Sequence, residues 1–404
     1  MKLNRQLFTW TLLAWLGAAG TLMAQSDIVD AGSLGFDSKK LAKIDSVMKT
    51  GLENERWAGC NAMVLKDDQI CYYGAWGLQN REKGIPVKRD TIWRIYSMSK
   101  PITSVAVMQL VERGKLKLDA PVSDYIPEFK DLKVLQKKGD GFETVPVRRE
   151  MTVRDLLRHS SGLTYGMFGN SEVDKRYRKA GVMRNDRDLK TMVDKLAAIP
   201  LKNQPGSTFE YSLSTDVLGY LVEVTSGQSF AEYLSENIFE PLNMKDTTFV
   251  VSETKLDRFA ELYRQARNGT LKPELRSSQF TDPKNRFYSG GGGLCSSIDD
   301  YMQFCRMLLN KGSVDNQRVL KPATIEEMMT NQLDDLENSS RFFKFGLGFR
   351  ISPMGDYSWG GIAGTRFWVN PEKNLAMIYM VQLFSDEENF GSKMRDLVYD
   401  ALKN

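Results

Sequence analysis

The chain has 404 residues, 55 Lys and Arg against 51 Asp and Glu, a net charge of +4, four cysteines and one histidine. That length supports one large or two intermediate domains with a substantial core. With no basic block interleaved with aromatics, four cysteines in so long a chain and a single histidine, the composition argues against a nucleic-acid partner, a disulfide scaffold and a histidine-rich metal site.

In chain order, Lys2 and Arg5 precede an apolar run from Leu7 to Met23 and then Ala24-Gln25-Ser26, the pattern of a secretory signal peptide over 1–24. Cleavage after Ala24 leaves Leu22 at minus three, so Gly20 with Ala18 upstream is an alternative site. The run is short for a membrane span and carries Thr9, Thr11, Gly17 and Gly20, which disfavours a retained anchor. Residues 25–404 are therefore expected as one exported unit, periplasmic or secreted, with no stable membrane span.

A polar-faced helix is predicted from about Asp37 to Asn54, a strand over Asn61 to Lys66, a turn at Asp67-Asp68 and a second strand over Gln69 to Ala75. Cys60 and Cys71 then share a face out of pairing register, and buried free thiols are expected at Cys60, Cys71, Cys295 and Cys305. Lys130 to Met151 reads as a charged surface excursion, followed by helices at Val153 to His159, Arg187 to Ala198, Leu213 to Thr225 and Phe230 to Ile238. Gly290 to Gly293 lacks the Lys-Ser/Thr of a phosphate loop and reads as a turn or close backbone approach. Strands follow at Tyr357 to Gly361, Arg366 to Asn370 and Leu375 to Leu383, with a last helix from about Asn389 to Lys403. Strands at both chain ends predict an α/β (α+β) unit: a sheet layer from about 37–95 plus 340–404, with a mostly helical region inserted at about 96–339.

Three S-x-x-K matches occur where about one or two are expected by chance. Ser46 and Lys49 lie in a polar amphipathic stretch, and Ser252 with Lys255 resembles a helix cap. Ser97-Met98-Ser99-Lys100 differs, standing between Ile92-Trp93-Arg94-Ile95-Tyr96 and an apolar helix that ends near Gly114. Residues i and i+3 share a helix face with Cβ atoms about 5–6 Å apart, so Lys100 can reach the Ser97 hydroxyl. The rival reading is a capping serine and a surface lysine.

A serine hydroxyl needs a base within hydrogen-bond reach. Lys100 is one candidate and Tyr211, just after the Pro205-Gly206 turn, another, since an ammonium beside a phenol favours the phenolate form that can serve as a base. Trp359-Gly360-Gly361-Ile362 places adjacent glycines in a strand, where something must approach the backbone closely. If that is substrate, the N–H groups of Ser97 and Ile362 could form an oxyanion hole. The competing readings are a core tyrosine and a strand bulge.

Together, Ser97-x-x-Lys100, Tyr211-Ser212-Leu213 and Trp359-Gly360-Gly361 resemble, in order and rough separation, the S-x-x-K, Y-x-N and K/H-T-G elements of the serine β-lactamase and penicillin-binding protein superfamily (class C-like). Thr152 to Leu163 and Gly290 to Ser297 are similar to its non-catalytic signatures, and the likeness spans about Leu41 to Leu402. The resemblance implies a five-stranded antiparallel sheet flanked by N- and C-terminal helices, an inserted mostly helical domain, and a cleft site with Ser97, Lys100 and Tyr211 catalytic. It leaves His159 a structural role.

Two departures shape the expected chemistry. Leu213 stands where the lactamase pattern has an amide, and Trp359 where it has a lysine for a β-lactam carboxylate. With Gly360 and Gly361 these are the expected substrate-binding residues, and the variants are similar to family VIII carboxylesterases. The expectation is an exported serine hydrolase that forms an acyl-enzyme on Ser97, a carboxylesterase on small esters, whose partner is a small-molecule ester or amide substrate, with no cofactor or metal. A β-lactamase or D-amino-acid peptidase, an acyltransferase and a non-turnover penicillin-binding sensor are the alternatives.

Overall fold

The computed structural model describes residues 27–184, 187–274, 278–338, 343–384 and 390–403. The expected leader at 1–24 lies outside these.

The N-terminal helical stretch is two pieces, Ser38–Leu41 and α1 (Lys43–Glu53), the first capped by the Asp37 carboxylate. β1 (Gly59–Lys66) and β2 (Gln69–Asn80) form a hairpin whose two-residue turn holds Asp67 and Asp68 at φ of 51° and 62°, the left-handed pair that matches strand twist. After the two-residue β3 (Ile85–Pro86) come α2 (Ser99–Glu112), α3 (Val153–Leu157), α4 (Ser214–Ser226) and α5 (Ile298–Leu309). The chain returns through β4 (Lys344–Phe345), β5 (Arg350–Ile351), β6 (Tyr357–Gly360), β7 (Arg366–Asn370) and β8 (Leu375–Val381), and ends in α6 (Phe390–Ala401).

The sheet is antiparallel with order β4-β5-β6-β7-β8-β1-β2-β3. It therefore has eight strands rather than the expected five: the five long ones occupy the centre, and the extra three are two-residue segments too short to leave a period-two pattern. Its central strands are covered on both faces. In β1, Cys60, Ala62 and Val64 face Ile44, Met48, Met394 and Val398 of the terminal helices, while Met63 and Leu65 face the main core. In β8, Leu375, Met377, Tyr379 and Val381 join the first set, and Ala376, Ile378 and Met380 the second. That alternation locks the register, because a one-residue slip would exchange the two sets.

All four cysteines are free and buried. The stretch at 130–151 is largely a hairpin, Lys133–Lys138 with Gly141–Pro146, rather than an irregular excursion. Its charged residues on exposed positions masked the strand pattern.

Across the sheet, α2 packs along α4 in the main core. The turn after α3 is tied down by Asp155, a fully buried carboxylate bonded to Arg149, Arg158 Nη2 (3.1 Å), Ser160 Oγ (2.8 Å) and Thr152 N (3.0 Å). Burial works to raise this carboxyl, but the bonds from Arg149, Thr152 and Ser160 outweigh it and hold it below 3.8. Stability from such a group is complete above its unfolded value and is lost as pH falls through the lower folded one. Asp155→Asn should therefore cost about 3 kcal/mol at pH 7, the order for breaking a buried pair. In denaturant titrations the gap to the parent should narrow as pH drops below 3.8.

Candidate functional site

Ser97 is held by a short 3-10 turn, Tyr96–Met98, and not by α2 itself, which begins at Ser99. The turn is fixed on several sides. The Ile95 N–H donates to Leu294 O (3.0 Å), the Leu294 N–H to Ser99 Oγ (3.1 Å), and the Tyr301 hydroxyl to Met98 O (2.8 Å). Tyr96 carries the cost at φ 43°, left-handed for a bulky residue, with its ring packed edge-on against Phe280 at 5.5 Å.

Three side chains from different elements meet here. Lys100 Nζ donates to Ser97 Oγ at 3.3 Å and the Tyr211 hydroxyl donates to the same oxygen at 2.8 Å. Lys100 also donates to Gly291 O at 2.6 Å and lies 4.6 Å from the centre of the Tyr211 ring and 5.3 Å from that of Tyr165. A buried ammonium needs this many partners. The Ser46, Lys49 and Ser252 side chains of the other two matches are exposed and take no part.

Asp216, on α4, completes the surroundings of Lys100. It is fully buried, its Oδ1 accepts from Ser289 Oγ and from Gly291 N (3.1 Å), and its Oδ2 has no partner among the described residues. Burial raises its carboxyl and the Lys100 charge opposes that rise. The glycine run is what lets the loop come so close: a Cβ on Gly290 would stand 2.5 Å from Thr215 O, and one on Gly291 2.5 Å from Asp216 Oδ2.

His159 is also buried, and burial together with the Lys100 charge pushes its imidazole well below 6.5, so it stays neutral. Its carbonyl accepts from Glu210 N (2.8 Å) and its Nδ1 faces Ser212 N (3.4 Å), which braces the chain on both sides of Tyr211.

The Trp359 segment reaches the same place by another route. Its glycines accommodate protein: a Cβ on Gly361 would lie 2.5 Å from Ile95 O and 2.4 Å from Thr365 Oγ1. This docks the end of β6 against the residue two before Ser97. Ile362 sits beyond β6, in the Gly361–Gly364 turn, and among the described residues no backbone acceptor takes its N–H or that of Ser97. Trp359 is half-buried with its ring 5.5 Å from that of Tyr211. Leu213 is a correction: it has no exposed surface and packs in the helical core, so it offers a substrate nothing to touch.

Asp216, Tyr165 and Gly291 O were not identified from sequence as partners of Lys100. An acid immediately before the apolar pair Val217-Leu218, in a predicted helix, was a readable signal for the first; the others depend on distant segments meeting.

Gly361→Ala should cost about 1–3 kcal/mol by overpacking. Because it displaces Ile95, it should also slow labelling of Ser97 by a fluorophosphonate probe by about 10-fold or more, ångström misplacements costing up to about 10²-fold. Gly141→Ala, whose Cβ would meet nothing closer than 3.8 Å, should match the parent in melting and in labelling.

A family model described as Beta-lactamase matches residues 44–400. Protein Rv1367c of Mycobacterium tuberculosis is 32% identical over 363 residues, covering 84% of this chain and 88% of its own. Esterase EstB of Burkholderia gladioli is 30% identical over 383 residues, covering 87% and 93%. Among solved structures, EstCE1, described as a hydrolase with promiscuous acyltransferase activity, superposes with a TM-score of 0.77 at 26% identity over 89% of this chain and 99% of its own. A mutant of the simvastatin synthase LovD from Aspergillus terreus shares the fold, with a TM-score of 0.76 at 24% identity over 91% and 97%. No described helix is long and apolar enough to cross a membrane.

Proposed function

From the premise that the chain belongs to the beta-lactamase family and is a serine hydrolase, we propose that it is a carboxylesterase acting on small esters through an acyl-enzyme on Ser97. The observation that carries this is the single oxygen, Ser97 Oγ, within hydrogen-bond reach of both Tyr211 Oη (2.8 Å) and Lys100 Nζ (3.3 Å).

In the reactive protonation state the Tyr211 and Lys100 pair holds one proton fewer than its full complement. As Ser97 Oγ bonds to the ester carbonyl carbon, its proton passes to that pair. The N–H groups of Ser97 and Ile362, with no backbone acceptor among the described residues, receive the carbonyl oxygen as it becomes negative. Collapse breaks the bond to the alcohol oxygen, which leaves with the proton. Water then repeats the sequence: its proton goes to the pair, its oxygen bonds to the acyl carbon, and the proton returns to Ser97 as the acid departs. The pair serves as base and then acid in each half.

The ester preference is supported by Trp359, which supplies no cation for a β-lactam carboxylate, and by the likeness to esterase EstB. A second reading, acyl transfer from the same intermediate to an alcohol or amine, is favoured by the likeness to EstCE1 and the promiscuous acyltransferase activity ascribed to that hydrolase. Export rests on the leader at 1–24.

Ser97→Ala should abolish hydrolysis of short p-nitrophenyl esters and the acyl mass increment on the protein. Tyr211→Phe and Lys100→Ala should each lower kcat by about 10²–10⁴-fold, the usual range for acid-base assistance. The double variant should lose far less than the product of the two, because the residues act as one unit. A Ser97→Ala protein with full esterase activity refutes the assignment. Faster turnover of a chromogenic cephalosporin than of the esters would move the substrate class to lactams, and product partitioning toward an added alcohol would establish transfer.

A further inference from the structure

Two consecutive residues, Met167 at 54% and Phe168 at 58%, are among the most exposed large apolar side chains of the described residues, and Phe168 adjoins the site. The Phe168 ring is 4.9 Å from Tyr165 and 6.1 Å from Tyr211, and Tyr211 is 5.5 Å from Trp359. An apolar surface thus runs from solvent to the tyrosine that bonds Ser97 Oγ. Exposed apolar side chains that continue into a reactive cleft, unlike ones scattered singly, fit a ligand-binding surface.

The tip is not left to find its own conformation. Arg178 grips both of its ends, donating from Nη1 to Gly166 O and to Gly169 O (2.9 Å), with Nη2 on Asn170 Oδ1 (3.1 Å). Gly166 turns the chain at φ 82°, and a Cβ on Gly169 would lie 2.4 Å from the buried Asp174 carboxylate, so the far side of the loop is docked as well. Holding Met167 and Phe168 outward while pinning their neighbours inward is the arrangement of a pre-formed contact surface.

Resting on the esterase reading, we propose that Met167 and Phe168 form, with Tyr211 and Trp359, an outer ledge that selects esters bearing a flat aromatic group one or two bonds from the ester linkage. The ring of such a group has the exposed Phe168 and half-buried Trp359 rings to pack on, at the centroid distances of about 4.5–7 Å that aromatic pairs favour. The methionine adapts to its edge. Arg178 is a positioning residue that acts through the loop.

The ring could belong to the acyl or the alcohol part, and the test separates these. Hydrolysis of ethyl acetate, benzyl acetate and ethyl phenylacetate is followed by pH-stat for the parent, Phe168→Ala and Arg178→Met. At least one aryl ester should exceed ethyl acetate in kcat/KM, and which one does assigns the ring. Both variants should lower that aryl-to-ethyl-acetate ratio by about three- to tenfold, the span one aromatic pair contributes. Binding of the same aryl ester to Ser97→Ala, read by ligand-observed NMR, should weaken similarly when Phe168→Ala is added. Parent protein without aryl preference, or variants that keep the ratio, overturn the ledge. If no ester is hydrolysed but Phe168 still governs aryl binding to Ser97→Ala, the esterase reading falls and the ledge stands. If that binding is indifferent to Phe168, the ledge falls.

Discussion

One ammonium, that of Lys100 at 2% exposure, governs the arrangement around it. A charge removed from water must be repaid by dipoles, opposite charge or polarisable faces. The protein supplies all three through the Gly291 carbonyl, the Asp216 carboxylate behind it and the rings of Tyr211 and Tyr165. Gly291 is bound twice over, its carbonyl by the cation and its N–H by the anion. Loop, lysine and α4 are thereby one electrostatic unit, and none can move without exposing a charge to an apolar surround.

Close approach of backbones is the second constraint, and it is steric. The glycine loop lies on α4, and the end of β6 lies on Ile95, at separations that admit no Cβ. These contacts bring the nucleophile turn, the tyrosine loop and the Trp359 turn to a common point. His159 then contributes by being neutral and fixed, its carbonyl and Nδ1 facing the N–H groups on either side of Tyr211.

Much of this was legible because the relevant signals are local. β7 occupies Arg366–Asn370 as its alternation and turn residues predict, and α4 and α6 fall within a residue or two of their periodic patterns. The S-x-x-K spacing placed Lys100 against Ser97 because three residues make one helical turn whether that turn is α or 3-10. What stayed hidden was non-local. β3, β4 and β5 have two residues each and exist only because a neighbouring edge accepts them. The orientation of Leu213 follows from α4 turning its first residues inward, and the paired glycines of the Trp359 segment signalled close contact without saying that the contact was with Ile95.

The pairing of β1 with β8 sets Met63 opposite Ile378, so the centre of the sheet joins segments more than 300 residues apart. A chain growing from its N-terminus therefore displays the β1–β2 hairpin, with one edge unsatisfied, until nearly the whole of it has been synthesised. The pocket around Ser97 depends on β6, which arrives almost as late. Such a polypeptide cannot complete its sheet while it is being made, and closes it only after the late strands that flank β1 have been synthesised.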